Sequence, residues 1–150
     1  MDVRAWVVLL GIGLLSGALW IIFIGLPARY ETNYIPFGEI PVNFYILGLI
    51  TSCVVAPLFE EKVVRHLLLD GVSHYFGRVL SIIMVSVVFA EVHVGAVTSS
   101  FFYSILLCIC VHSFRLGTVQ RSIIHGAINL AITQWVIFYP TPRDYYGSYP

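Results

Sequence analysis

Residues 5–25 read AWVVLLGIGLLSGALWIIFIG, an apolar run without a single charge. A bilayer core takes roughly 20 such residues as a helix. The run exceeds the roughly 7 to 15 residues of a signal-peptide core and ends without an A-x-A cleavage site, so it is expected to remain attached as a membrane helix. Working outward, the rest of the chain repeats the pattern. Apolar stretches fall near residues 42–58, 79–95, 96–114 and 119–139, which predicts five crossings and one membrane domain over residues 1–150. The expected fold class is an all-α integral membrane protein, a bundle of about five transmembrane helices with a polar site inside the bilayer.

Composition agrees. The chain is 59% hydrophobic and 11% charged, against roughly 25% charged residues in soluble domains, and its mean hydropathy is +0.90. Eight basic and eight acidic residues cancel. No clustered basic face is left to bind nucleic acid, so that class of partner is set aside. Cys53, Cys108 and Cys110 lie in apolar runs without CxxC spacing and read as small buried hydrophobes.

The second stretch does not end cleanly. Phe59 to Leu69 keeps a helical pattern while carrying Glu60, Glu61, Lys62, Arg65 and His66, so residues 42–70 are expected to form one long helix, with a kink at Pro57. A tight turn is expected near Gly95. Arg4, Arg78, Arg115 and Arg121, with Lys62 and Arg65, gather on one side of a five-span arrangement, against Arg29 and Arg143 on the other. The positive-inside rule then places the N-terminus in the cytoplasm and the C-terminus outside, in the cytoplasmic membrane. The segments PARYETNYIPFGEIP and YPTPRDYYGSYP read as interfacial aromatic belts. Gly13 and Gly17 form a small-xxx-small pair suited to close helix packing.

Ionisable groups within bilayer-length segments cost about 2.5 to 3.5 kcal/mol each at mid-helix, which makes each a functional candidate. Here they gather in three clusters, FEEKVVRH (59–66), FAEVH (89–93) and HGAIN (125–129), within a core of residues 55–139. Glu61 and Arg65 are four apart, acid before base, which favours an ion pair. Glu60 points about 100° away from Glu61 and is left facing another helix. His93 follows Phe89 by four residues on one face, while Glu91 points the other way. His125 and Asn129, again four apart, stack an imidazole and an amide beside Gly126 and Ala127, so that both can donate to one oxygen. Counted from a turn at residues 71–77, Glu60 lies about 17 Å and His93 about 24 Å along their helices, a mismatch that tilt or kinking would have to close.

In order and spacing these clusters resemble the EExxxR, FxxxH and HxxxN motifs of the CAAX prenyl protease, Abi and bacteriocin-processing family of intramembrane proteases. Glu60, Glu61 and Arg65 match the first motif, Phe89 and His93 the second, His125 and Asn129 the third. The resemblance implies a helical membrane fold that hydrolyses a peptide bond of a membrane-associated or lipidated protein or peptide. Glu60 and His93 would activate water, His125 and Asn129 would stabilise the oxyanion, and Glu61, Arg65 and Phe89 would support them. An alternative within the family has Glu60, His93 and His125 ligate zinc, leaving a position open for water. His66 stands where many relatives carry glycine, and Glu91 is an unusual charge inside the second motif. The chain is also shorter than the eukaryotic prenyl proteases. Two other classes compete: a subunit of proton-coupled transport, since buried Glu and His chains also relay protons, and a non-catalytic immunity or interaction protein.

Overall fold

The computed structural model describes residues 3–28, 40–93 and 96–138. They form five helical runs: α1 over Val3–Gly25, continued by Leu26–Ala28; α2 over Val42–Phe76; α3 over Arg78–Glu91; α4 over Val97–Phe114; and α5 over Thr118–Phe138. No strand occurs among the described residues. That suits a chain whose backbone polar groups must be satisfied within each segment. The segments 29–39 and 139–150, with Arg29 and Arg143, and the turn expected at Gly95 lie outside the described residues.

α1, α2 and α4 are long and apolar enough to cross a membrane. α3 has 14 residues, about 21 Å of helix and less than a bilayer core. α5 has 21 residues but carries Gln120, Arg121, His125, Asn129 and Gln134. The polarity of the bundle is inverted relative to a soluble protein. Phe23, Phe44, Phe59 and Phe102 are more than 60% exposed, whereas Glu61 and Arg65 are completely buried. Lipid can solvate the first group, and only other protein atoms can solvate the second. This is an all-α membrane protein.

α5 holds the bundle together. On one side α1 approaches through Gly13 and Gly17. A Cβ at Gly13 would come within 2.5 Å of both the Ala127 Cβ and the Ile124 carbonyl oxygen, and one at Gly17 within 2.5 Å of the Ala131 Cβ. The small-xxx-small pair is therefore the α1–α5 contact, where missing side chains let two backbones meet. Leu9 of α1, Leu107 and Cys110 of α4, and Ile124 and Ile128 of α5 form the apolar core beside it. Gly17→Leu should force α1 off α5 and destabilise the fold by about 1–3 kcal/mol. Unfolding in mixed micelles measures this, and an unchanged midpoint would show that the close approach is dispensable.

On the other side α5 meets α2, which runs unbroken past Pro57. The helix widens instead of breaking: Thr51–Val55 is π-helical, and the Ala56 N–H bonds the Thr51 carbonyl. In that register the Ser52 carbonyl would require the N–H of residue 57, which proline lacks. The freed carbonyl accepts the Asn129 side-chain amide at 2.8 Å. Gly126 sits against the Cys53 carbonyl, where a Cβ would overlap the oxygen. Ser122 Oγ lies 3.2 Å from the Pro57 carbonyl oxygen. Helix irregularities of this kind recur at functional sites.

α2 continues to Phe76, beyond the expected limit near residue 70, and stops at Gly77. Gly77 has φ 72° and ψ 170°, a conformation open essentially to glycine alone. The extension brings Glu60 level with His93. Measured from the end of α2, Glu60 lies about 16 residues or roughly 24 Å back, level with His93 counted up α3.

Candidate active site

The site is built on a buried ionic core, and Glu61 is its centre. The Glu61 carboxylate, fully buried, lies 3.4 Å from Arg65 Nη1, as the four-residue spacing predicts. It also accepts a 3.0 Å hydrogen bond from Arg121 Nε and faces His125 Nδ1 at 3.2 Å. Arg121 further binds the Leu116 carbonyl, and its Nη2 reaches the Glu61 carbonyl at 3.5 Å. Charges out of water are tolerable only when paired with this kind of geometry. Arg121 is 3% exposed and Arg65 0%. Neither marks a membrane surface, so the charge argument for orientation rests on the remaining basic residues. Sequence reasoning placed Arg121 at the interface, yet it precedes His125 by four residues and shares its face with His125 and Asn129.

Phe89 packs the two functional layers together. The Arg65 guanidinium carbon lies 4.2 Å from the centre of the Phe89 ring, a cation–π contact strengthened by desolvation. The His93 ring packs on Phe89 with centroids 4.2 Å apart, and the His125 ring meets it edge-on at 6.2 Å.

His93 does not lie on the helix face the spacing suggested. α3 ends at Glu91, and His93 occupies the turn that follows. Its Nδ1 is 2.6 Å from the Phe89 carbonyl oxygen. A carbonyl only accepts, so Nδ1 carries the proton and caps the last turn of α3. This leaves Nε2 facing Glu60 Oε2 at 4.0 Å. His125 behaves alike: Nδ1 is directed at Glu61, and Nε2 lies 3.7 Å from the same Glu60 oxygen. Glu60 Oε2 is buried and accepts no hydrogen bond among the described residues.

Glu60, His93 and His125 thus converge from α2, the α3–α4 turn and α5. Asn129 stands one turn from His125, its amide oriented by the Ser52 carbonyl. A cavity of about 200 Å³ opens beside them, lined among others by Trp20, Phe89, His93, Ser100, His125 and Asn129. Two conspicuous charges stay outside: Glu91 is exposed, and His66 pairs with Asp70 at 3.6 Å on the exposed side of α2. Cys108 and Cys110 are buried and unbridged, as their apolar setting predicts. Among the described residues, no group of three His, Cys, Asp or Glu side chains is placed to hold a metal ion.

The family of Rce1-like type II CAAX prenyl endopeptidases matches the chain over residues 41–131, a span that contains every motif residue above. The chain belongs to this family. The Rce1-like chain is therefore an integral membrane endopeptidase, a hydrolase whose substrates are peptides or proteins in the membrane. Comparison with curated proteins and with solved structures yields no match.

Proposed function

We propose that this Rce1-like protein hydrolyses a peptide bond of a membrane-anchored or lipidated protein or peptide, using water activated by Glu60 and His93. The observation that carries the reading is the Glu60 oxygen. It is buried, accepts no hydrogen bond among the described residues, and lies 3.7 and 4.0 Å from two imidazole nitrogens. These separations exceed a direct hydrogen bond and leave room for one water between the groups, which Glu60 and His93 would hold. Glu60 takes the water proton as oxygen attacks the carbonyl, then returns it to the leaving nitrogen. Asn129 donates its second N–H to the oxyanion, and His125, whose Nδ1–H is engaged by Glu61, donates from Nε2 only as the doubly protonated ring. Glu61 holds the His125 ring, and the Ser52 carbonyl holds the Asn129 amide, so neither donor needs to reorganise during the reaction. The cavity opens toward the cytoplasm, with the N-terminus on that side. The substrate is a prenylated tail, a C-terminal sorting segment or a bacteriocin leader.

The test is purified protein in liposomes with a lipid-anchored peptide, and cleavage followed by mass spectrometry. Absence of cleavage with proton flux across sealed vesicles would favour transport; absence of both would favour a non-catalytic immunity or interaction role. Activity should survive a strong zinc chelator. Loss that zinc restores would instead assign water activation to a metal held by Glu60, His93 and His125. Asn129→Ala should lower kcat by about 10²-fold, the effect of losing one oxyanion donor. A kcat equal to wild type would remove Asn129 from the chemistry.

A further inference from the structure

Glu91 takes no part in the proposed hydrolysis, and it ends a helix too short for a bilayer. α3 runs 14 residues from Arg78 to Glu91, and both of these charged residues are exposed. The side between them is apolar and exposed at Val79, Leu80, Ile83, Val87 and Val88, so it faces lipid. The two charges stand about 20 Å apart along the helix axis, against a hydrocarbon core of about 30 Å. Neither end can be extended, because α3 begins at the Gly77 turn and gives way at Val92 to the turn that carries His93. Tilting would shorten its reach across the membrane further. The Cα–Cβ bonds of a helix tilt toward its N-terminus. Arg78 therefore leans outward and its long side chain reaches headgroups, whereas the short side chain of Glu91 leans back toward the bilayer centre.

The helix packed against α3 marks the same height. α4 returns antiparallel after a turn in which the Ala96 N–H bonds the His93 carbonyl, and it opens with Thr98, Ser99 and Ser100 beside the end of α3. At its other end His112 lies within electrostatic reach of Arg78. From Thr98 to His112 is about 21 Å along the helix. α1, which packs on α5 instead, offers lipid 23 residues and about 35 Å. The apolar height of the bundle is thus uneven around its circumference. Lipid meets a short apolar height by thinning, at modest cost, and a carboxylate held in hydrocarbon costs more. We propose that the bilayer thins beside α3, its headgroup boundary drawn in to Glu91, and that water reaches His93 from this side. His93 follows Glu91 by two residues, and 32% of its side chain is exposed. The thinning stands on helix lengths and charges; the use of that water by His93 rests on the peptidase reading.

The full chain is reconstituted in monounsaturated phosphatidylcholine bilayers with acyl chains of about 14 to 22 carbons, carrying a nitroxide amino acid in place of Val88, one turn before Glu91. A boundary pinned at Glu91 predicts that collisions of the label with a water-soluble nickel chelate stay constant across the series. In Glu91→Leu, which removes the pin, they should fall several-fold from the thinnest bilayer to the thickest as lipid covers the label. A wild-type signal that falls with chain length would overturn the thinning, and this series decides by itself should Glu91→Leu not fold. A constant signal in both proteins would overturn the role of Glu91. Turnover of a lipid-anchored peptide provides the second readout. Glu91→Leu should lose kcat rather than gain KM in the thickest bilayer and match wild type in the thinnest. Equal turnover of the two proteins in the thickest bilayer would overturn the delivery of water to His93. If neither protein cleaves while the label behaves as expected, the peptidase reading fails and the thinning stands.

Discussion

Glu60→Gln is expected to lower kcat by roughly 10²–10⁴-fold, the usual worth of a positioned general base, with helix content and unfolding midpoint unchanged. The amide keeps the shape of the carboxylate but cannot accept a proton from water. Stability should be spared because Glu60 is a quarter exposed and neither guanidinium of the ionic core depends on it; its nearest charged neighbours are the two imidazoles, at 3.7 and 4.0 Å. Turnover of a lipid-anchored peptide, measured beside circular dichroism and unfolding of the same sample, checks both halves. A Glu60→Gln protein that cleaves at the wild-type rate would sink the general-base assignment.

The same substitution one residue later should do the opposite. Glu61→Gln is expected to cost about 3–5 kcal/mol, because it strands buried charge that had a partner. Two guanidiniums, those of Arg65 and Arg121, share this carboxylate, and all three groups are at most 4% exposed. Activity should fall with the folded fraction, and the remaining folded molecules should turn over more slowly as His125 Nδ1 faces a neutral amide in place of the carboxylate. Reversible unfolding in mixed micelles gives the energy. A fully stable Glu61→Gln variant would mean that the two arginines are solvated by something other than Glu61. The sequence alone points to Arg65→Ala as the equivalent disruption, on the ground that Glu61 would be left without compensation. Arg121 and His125 remain beside Glu61 in that variant, so the larger loss belongs to Glu61.

α1, α2 and α4 are legible because lipid selects apolar runs of at least bilayer length, whereas α3, with 14 residues, and the polar α5 depart from that rule. The three clusters were legible because residues four apart share a helical face, and that rule brought out Glu61 with Arg65 and His125 with Asn129. Arg121 obeys the same spacing ahead of His125 but was assigned to a surface by its charge, a long-range preference that a buried carboxylate overrode. His93 has the expected neighbour, Phe89, for a different reason: its ring caps a helix that has already ended. The Ser52 carbonyl could not be read at all, because a backbone group becomes a site component only when Pro57 and the π-helical turn withdraw its usual partner.

The Glu61 core also dictates an order of events during synthesis. α2 emerges and partitions into lipid before α5 exists, carrying the carboxylates of Glu60 and Glu61 with the guanidinium of Arg65, while Lys62 lies on its exposed side. The Glu61–Arg65 pair on successive turns shields two of these groups from hydrocarbon at that stage. The Glu61 carboxylate gains its second guanidinium only when α5 delivers Arg121. A later helix thus completes the ionic core of an earlier one, and a nascent chain that stops before residue 121 leaves the buried Glu61 carboxylate with Arg65 alone.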